Sequence, residues 1–307
     1  MSIVGIEAFE FGVADMKVCQ RFLRDFGLRP EVETAEHAVF RAQNGARIEA
    51  RPLQDPTLPT PFEEGSTLRR MTWGVADATA LETLRQRMAE QPGFEASAEV
   101  VQCRDPNGMT VRVMRTALQP VELRVPPINQ HGDMRRVDEP SPVYERAEPV
   151  GIGHAVFFVE DLAETEAFYR DVMGFHASDR YTDRGVFMRM QARGGHHNLF
   201  LLKIPNKPRG LNHVAFTVRD IHEVIGGGIH MTGKEWTTFI GPGRHPVSSA
   251  YFWYVNSPLG GAFEYYTNED YLTENWQARE MEHSLTSFTE WAIEGGIDDK
   301  TRRQKKD

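Results

Sequence analysis

Residues 159–175 read VEDLAETEAFYRDVMGF, and residues 13–28 read VADMKVCQRFLRDFGL. In both stretches a short apolar run reaches an Asp, about three turns of amphipathic sequence follow, and a Gly comes next. Asp is favourable before a helix because its side chain accepts a hydrogen bond from a free backbone N–H, and Gly often follows a helix. The repeat predicts the same strand and helix at the start of each half of the chain.

A second copy of this pattern lies within each half. Residues 71–77 read MTWGVAD and resemble residues 214–220, which read VAFTVRD. β-rich runs follow the predicted helices, and in the third unit they fall near residues 175–181, 186–191 and 197–203. We therefore predict an α+β fold of four βαβββ units, paired into two domains. The units lie near residues 4–52, 68–115, 151–204 and 211–267.

The fourth unit is the least regular of the four. Gly226, Gly227 and Gly228 fall where its helix belongs, and a glycine inside a helix costs roughly 1 kcal/mol relative to alanine. We expect this helix to be short or broken.

Proline-rich sequence separates the two halves. Residues 117–150 hold several prolines and show no apolar periodicity. Because proline fixes φ and removes a backbone donor, we expect an extended linker that crosses the surface. The predicted organisation is a pair of units at 1–116, the linker at 117–150, a second pair at 151–270 and a helical tail at 271–307.

The tail offers Trp276, Phe288 and Trp291 as candidate anchors. It either packs on its own domain or covers the functional site, and the sequence leaves both alternatives open.

Composition and charge exclude several classes of protein. The chain has 307 residues, 40% of them hydrophobic, and a formal net charge of −9. We expect no nucleic-acid partner, because such binding needs clustered positive charge. Cys19 and Cys103 lie far apart without metal-type spacing, which disfavours a disulfide framework and favours the cytoplasm. We expect neither a leader sequence nor a membrane span, since no apolar run nears the roughly 20 residues that a span requires.

A candidate metal site is distributed over three predicted strands. His154 and His213 lie near the starts of apolar runs, at equivalent places in the third and fourth units, and Glu264 lies in the apolar run AFEYY. A carboxylate buried there needs a compensating cation, and two imidazoles with one carboxylate suit a facial metal triad. Alternatively, each histidine is a hydrogen-bonded structural residue and the glutamate faces water from an edge strand.

Three further residues suit chemistry rather than metal coordination. His197 follows His196 at the start of a predicted strand, and we expect His197 to point inward and its neighbour to point to the opposite face. A neutral imidazole can accept and return a proton near pH 7. His245 and Tyr254 are candidates for a polar wall against the substrate, although a loop histidine and a core tyrosine are also common structural residues.

The order His154, His197, His213, His245, Tyr254, Glu264 within paired βαβββ units resembles the type I extradiol dioxygenases of the vicinal oxygen chelate superfamily. These enzymes include the 2,3-dihydroxybiphenyl 1,2-dioxygenases. The resemblance covers essentially the whole chain, and its most specific part runs from residue 243 to residue 264.

The resemblance implies the glyoxalase/dioxygenase fold and an oxidoreductase that cleaves a catecholic ring with O₂ in aromatic catabolism. It also implies that His154, His213 and Glu264 bind Fe(II), or less often Mn(II). By the same resemblance, His197 is the acid–base residue, and His245 and Tyr254 contact the bound catecholate. We expect a homo-oligomer. The sequence does not fix the ring substituents, the choice of metal or the number of subunits.

The N-terminal half lacks these ligands. Alignment of the repeats places Ala8 opposite His154, Arg70 opposite His213 and Arg112 opposite Glu264. Because none of the three candidate ligands is present there, the sequence predicts a scaffold half beside a catalytic half.

Three other functions remain open at this stage. A glyoxalase-like isomerase or a fosfomycin-resistance-like transferase would use a related metal site without the second trio of residues. A non-catalytic module of the bleomycin-binding type would lack the metal ligands. A hydroxyphenylpyruvate-type dioxygenase shares a triad, but the acid–base histidine favours extradiol chemistry.

Overall fold

The N-terminal half forms the two predicted βαβββ units. The structure is a computed structural model, and it describes residues 3–295. The first unit contains β1 (Ile3–Val13), α1 (Met16–Asp25), β2 (Arg29–Glu33), β3 (Ala38–Arg41) and β4 (Arg47–Pro52). The second contains β5 (Thr67–Val75), α2 (Ala78–Met88), β6 (Glu95–Ala96), β7 (Val100–Arg104) and β8 (Thr110–Arg115).

The C-terminal half repeats this order. The third unit contains β9 (Gly151–Phe158), α3 (Leu162–Ala167), a π-helical turn (Phe168–Val172), β10 (His176–Tyr181), β11 (Gly185–Arg189), β12 (Gly194–Gly195) and β13 (Leu199–Leu202). The fourth contains β14 (Gly210–Thr217), α4 (Ile221–Gly233), β15 (Thr238–Arg244), β16 (Tyr251–Asn256) and β17 (Ala262–Thr267).

Each half builds one large mixed sheet. The first sheet has the order β2-β3-β4-β1-β5-β8-β7-β6, and the opening strands of its two units pair antiparallel at the centre. In the second half the corresponding central pair is β9 and β14, which are also antiparallel. The repeat seen in the sequence is therefore a structural pseudo-symmetry, and it brings equivalent strand positions of paired units side by side.

The predicted helix N-caps are confirmed. In each unit the Asp before the helix accepts a hydrogen bond from the backbone N–H three residues later. The four caps are Asp15, Asp77, Asp161 and Asp220, with distances of 2.8–3.0 Å. Each cap satisfies one of the backbone donors that a helix leaves free at its first turn.

The two halves share one hydrophobic core. Helix α1 of the first half lies against the second sheet, where Phe26 stacks on Tyr265 with ring centroids 4.1 Å apart. Phe22 meets Phe263 edge to face at 5.3 Å, and the Tyr265 hydroxyl donates to the backbone oxygen of Phe26. One face of the second sheet is thus committed to the core, so any site must lie on the other face.

The expectation of a short or broken fourth helix is wrong. Helix α4 runs without interruption for 13 residues. Its glycines allow close packing: a Cβ added to Gly228 would lie 1.9 Å from the Trp253 ring, and one on Gly227 would lie 2.7 Å from the Ala147 side chain. Close burial against neighbouring elements offsets the low helix propensity of glycine.

The predicted helical tail is also wrong within the described residues. Residues 271–295 form β18 (Tyr271–Leu272), β19 (Arg279–Met281), the four-residue helix α5 (Leu285–Phe288) and β20 (Trp291–Gly295). Strands β19 and β20 extend the two edges of the second sheet, whose order is β19-β10-β11-β13-β9-β14-β17-β16-β15-β20, and β18 pairs with β12. Edge strands present free backbone groups, and the tail satisfies them. The remaining predicted tail, 296–307, lies outside the described residues.

Residues 117–150, the predicted linker, hold no helix or strand apart from the isolated bridge between Gln130 and Asp133. Within residues 3–295 no helix has both the length and the apolar character required to cross a bilayer.

Candidate metal centre

Strand register aligns the candidate ligands in the second sheet. His154 on β9 lies opposite Ala215 on β14, and Ala215 lies opposite Glu264 on β17. His213 precedes Ala215 by two positions on the same strand, so its side chain points to the same face. The three candidate ligands therefore come from three adjacent strands.

Alternation along β17 directs the carboxylate away from the core. Phe263 and Tyr265 pack against α1, so Glu264 projects from the opposite face, where it is 1% exposed. Strand β17 lies between β14 and β16 and is not an edge strand. The alternative of a water-facing edge glutamate is therefore wrong.

The three side chains converge at coordination distance. His154 Nε2 and His213 Nε2 are 3.2 Å apart, and they lie 3.1 and 3.3 Å from Glu264 Oε2. Two atoms bound cis to one metal ion, each at about 2.1 Å, lie about 3.0 Å apart. Within residues 3–295 this is the group of His, Cys, Asp and Glu side chains that meets the spacing of a metal site. The donor set fits a 2-His-1-carboxylate centre.

Electrostatics favour the metal-binding protonation states. Burial would raise the pKa of Glu264, but the neighbouring imidazoles of His154, His213 and His245 hold it well below its ordinary value. Burial lowers the pKa of His213 to about 4. The carboxylate is thus ionised and this imidazole neutral at physiological pH, as ligation requires.

The Nδ1 atoms of His154 and His213 differ in their hydrogen-bond partners. His213 Nδ1 lies 2.6 Å from Asn212 Oδ1, which accepts its proton and leaves Nε2 free for a metal. His154 Nδ1 is buried and has no hydrogen-bond partner among residues 3–295. An unpartnered buried polar atom beside the ligand position is consistent with a site built for a further bound group.

His245 and Tyr254 lie beside the triad and hydrogen-bond to each other. His245 Nδ1 donates to the backbone oxygen of Phe288 at 2.8 Å, so its Nε2 can accept from the Tyr254 hydroxyl at 3.0 Å. His245 Nε2 also lies 3.8 Å from Glu264 Oε1. Burial, with the charge of Glu264, keeps the pKa of Tyr254 well above its ordinary value. The phenol is therefore a neutral hydrogen-bond donor.

His197 contributes to the same site. Its ring centroid lies 4.2 Å from that of His154, and burial takes its pKa well below the ordinary value. The expectation that His196 points to the opposite face is wrong, since the Nδ1 atoms of the two rings are 3.2 Å apart. Strand β13 begins only at Leu199, so strand alternation does not apply to this pair.

A mostly apolar cavity opens onto these groups. Its wall is formed by Val156, Phe187, Phe200, Val247, Ala250 and Phe288 together with the six candidate site residues. Phe187 and Phe200 stack in parallel with centroids 3.8 Å apart. The wall therefore presents aromatic and aliphatic side chains beside the triad. Phe288 shows that the tail contributes to the cavity wall.

Sequence reasoning missed Glu269. Its Oε1 accepts from the Tyr266 hydroxyl at 3.2 Å, whereas its Oε2 is buried without a partner among residues 3–295. A Cβ on Gly195 would lie 2.2 Å from Oε1, so this glycine makes room for the carboxylate. The only signal in the sequence is an acidic residue five positions after Glu264.

The equivalent row of the first sheet carries other residues. Ala8 lies opposite Thr72, which lies opposite Arg112. Arg70 precedes Thr72 by two positions and pairs with Glu10 at 3.1 Å. This register matches the alignment made from the sequence, and the row holds an ion pair where the second sheet holds the triad.

Comparisons with known proteins agree with this architecture. A sequence profile described as Glyoxalase/Bleomycin resistance protein/Dioxygenase superfamily matches residues 151–265. Metapyrocatechase 2 of Cupriavidus necator is 29% identical to this chain over 282 residues, 88% of this chain and 83% of that protein.

Two solved structures share the fold. The Mn(II)-bound glyoxalase from Novosphingobium aromaticivorans matches with a TM-score of 0.75 and 21% identity, over 99% of this chain and 95% of that chain. The 2,2',3-trihydroxybiphenyl 1,2-dioxygenase from Sphingomonas wittichii strain RW1 matches with a TM-score of 0.68 and 19% identity, over 96% and 99% respectively. The predicted vicinal oxygen chelate fold and the resemblance to extradiol dioxygenases are confirmed. Residues 151–265, which hold all six candidate site residues, are thus similar in sequence to the Glyoxalase/Bleomycin resistance protein/Dioxygenase superfamily.

Proposed function

We propose that this protein is an extradiol dioxygenase that cleaves the ring of a catecholic compound with O₂. One observation carries the proposal: two sets of three side chains line a single cavity. The triad His154, His213 and Glu264 supplies metal ligands, and His197, His245 and Tyr254 supply proton transfer and hydrogen bonding. The similarity to a metapyrocatechase over most of both chains supports the same chemistry.

We propose Fe(II) as the metal and Mn(II) as the alternative. A 2-His-1-carboxylate triad with open positions is typical of non-heme Fe(II) oxygenases. When bound, the ion would supply Lewis-acid polarisation of the catechol oxygens and a redox-active centre for reaction with O₂. The chain holds this ion through His154 Nε2, His213 Nε2 and a Glu264 carboxylate oxygen.

The cavity wall orients the substrate ring. The stacked pair Phe187 and Phe200 contacts a flat ring, while the Tyr254 hydroxyl donates a hydrogen bond to an ionised catechol oxygen. Without substrate this hydroxyl donates to His245 Nε2 at 3.0 Å, and it turns to the catechol oxygen when the ring binds. Apolar residues exclude water, which strengthens each of these polar contacts.

His197 is the proton-transfer residue in this proposal. Burial keeps its ring neutral at physiological pH, so a ring nitrogen can take a proton from a catechol hydroxyl and return it after the ring has opened. The ring of His197 lies beside that of His154, which supports this role.

Oxygen uptake tests the function. The protein, reconstituted anaerobically with Fe(II), is mixed with a panel of mono- and bicyclic catechols in an oxygen electrode. We expect one O₂ consumed per catechol and a coloured ring-fission product. Metal-dependent turnover of a glutathione hemithioacetal without oxygen uptake would instead identify a glyoxalase-like isomerase. Catechol binding with no metal in the protein would identify a binding module.

Two further expectations belong to this proposal. Both cysteines are buried and free, which suits a reducing compartment such as the cytoplasm. The chain is expected to form a homo-oligomer, and light scattering with size-exclusion chromatography measures its mass.

A further inference from the structure

A buried chain of polar groups reaches His197 from behind the cavity. Asp179 and His196 are both 0% exposed by side chain, and Asp179 Oδ2 lies 2.8 Å from His196 Nε2. His196 Nδ1 then lies 3.2 Å from His197 Nδ1. The proposed function uses neither Asp179 nor His196. Fully buried polar groups of this kind cost free energy unless they form hydrogen bonds with one another.

The carboxylate at the end of the chain is held as an anion. Arg279 donates to Asp179 from its side-chain Nε at 3.1 Å and from its backbone N–H at 2.8 Å. Burial would raise the pKa of Asp179, but hydrogen bonds from His196 and Arg279 lower it. An ionised carboxylate only accepts hydrogen bonds.

With both imidazoles neutral, these contacts determine which ring nitrogens carry protons. Because Asp179 only accepts, the proton between it and His196 resides on His196 Nε2. In a neutral imidazole the other nitrogen is then an acceptor, so His196 Nδ1 accepts from His197 Nδ1–H. By the same rule His197 Nε2 carries no proton, and Nε2 is the ring nitrogen left for the cavity.

We propose that Asp179 and His196 are positioning residues that hold His197 in the tautomer whose Nε2 is free to accept a proton from the substrate. The inference rests on the proposed function for its catalytic consequence, since it explains why His197 acts first as a base. In other enzymes a buried carboxylate that orients an imidazole increases the catalytic rate strongly. Loss of the correct tautomer there lowers the rate by up to about 10⁴-fold.

Asp179→Asn breaks the chain with little change in shape. Arg279 keeps the amide oxygen as its acceptor, which leaves the amide NH₂ facing His196. His196 must then present an unprotonated Nε2, and the order of protons reverses along both rings. We expect kcat for a catechol to fall roughly 10- to 100-fold, with KM and iron content close to wild type. Asp183→Asn, the same change on the exposed hairpin beside β10, is the matched control and should leave all three values unchanged.

A pair of variants at His196 separates tautomer control from packing. His196→Gln places an amide oxygen and an amide nitrogen where the ring presented an acceptor and a donor, and should recover kcat to within about 10-fold of wild type. His196→Leu fills the space without either function and should match the loss in Asp179→Asn. Equal kcat in the Gln and Leu variants, with both folded and iron-loaded, would overturn the inference.

The ring ¹⁵N shifts of His197 test the tautomer without any turnover. Spectra of the full chain, metal-free and Zn(II)-loaded, should show a protonated Nδ1 and an unprotonated Nε2 in the wild type. They should show the reverse in Asp179→Asn. A protonated Nε2 in the wild type contradicts the inference even if catechols are cleaved. If no catechol is cleaved, the proposed function fails, and these shifts still decide the tautomer.

Discussion

The two sheets carry the same strand register but different chemistry. In the second sheet the row His154, Ala215, Glu264 adjoins His213 and forms a donor set for a cation. In the first sheet the corresponding row, Ala8, Thr72, Arg112, adjoins Arg70, whose guanidinium pairs with Glu10.

The difference concerns how buried charge is compensated. Glu10 is partly buried, and this burial raises its pKa, while the neighbouring charge of Arg70 lowers it. In the first sheet a side chain supplies the positive charge, whereas Glu264 in the second sheet is surrounded by imidazoles whose nitrogens can instead share a metal ion. The same strand register thus holds an ion pair in one half and the candidate metal ligands in the other.

The largest effect is expected from breaking the triad. Glu264→Gln keeps the shape of the side chain but removes its charge, and we expect metal content and catechol turnover to fall at least about 100-fold. Metal analysis after dialysis and oxygen uptake measure the two losses. Arg112→Gln introduces the same residue at the matching position of the first sheet. This control should change neither the metal content nor the catechol turnover. A metal-loaded, active Glu264→Gln protein would contradict the assignment.

The next effect concerns substrate contact. Tyr254→Phe removes one hydrogen bond to a charged oxygen, so kcat/KM should fall about 10- to 100-fold while the metal content stays constant. Steady-state kinetics with the best catechol measure it.

The first sheet again offers the control for this variant. Gln102 lies opposite Arg112 as Tyr254 lies opposite Glu264, and Gln102→Leu should leave kcat/KM unaltered. Loss of metal in Tyr254→Phe would assign the tyrosine to metal binding instead.

A pH-dependent stability effect tests the scaffold role of the first half. Asp105 accepts from the Tyr169 hydroxyl of the other half at 2.8 Å, and burial raises its pKa from 3.8 to about 6. A raised pKa adds stability below pH 3.8 that is lost as the pH rises through about 6. Relative to Asp105→Asn, the wild type should therefore lose about 2 kcal/mol between pH 4 and pH 7.

Urea unfolding of both proteins at the two pH values measures this difference. Turnover at pH 7 should be equal in the two proteins, because Asp105 is not one of the residues that line the cavity. A stability difference that does not change with pH would show that Asp105 is ionised, or protonated, throughout.

The smallest effects distinguish the helices of the two halves. Helix α2 contains no glycine, whereas α4 packs Gly228 against Trp253. Gly228→Ala should cost about 1–3 kcal/mol because the added methyl overlaps the indole. Gly233→Ala, which meets no atom within 4 Å, should gain up to about 1 kcal/mol. Thermal unfolding compares them, and equal effects would refute the packing explanation.

Much of the fold and of the site follows from the sequence because both are encoded in repeats. Each Asp cap marks a helix start, and equivalent positions in paired units become neighbours once the opening strands pair. His154 and His213 could therefore be placed together without a structure.

The errors arise where tertiary contacts override local pattern. The cost of Gly228 depends on Trp253, which comes 25 positions later in the chain. The role of His196 depends on Asp179 and on Arg279, which lies 100 positions beyond that carboxylate. Strand alternation failed for His196 because its segment is not a strand. The sequence of the tail predicts a helix, because local composition does not reveal that sheet edges need partners.

Anomalous diffraction at the iron edge tests the central claim most directly. For crystals of the full chain grown anaerobically with Fe(II), we predict a single peak about 2.0–2.3 Å from His154 Nε2, His213 Nε2 and a Glu264 carboxylate oxygen. The matching row near Arg70 should be empty. Iron elsewhere, or no peak between these three side chains, would contradict the account.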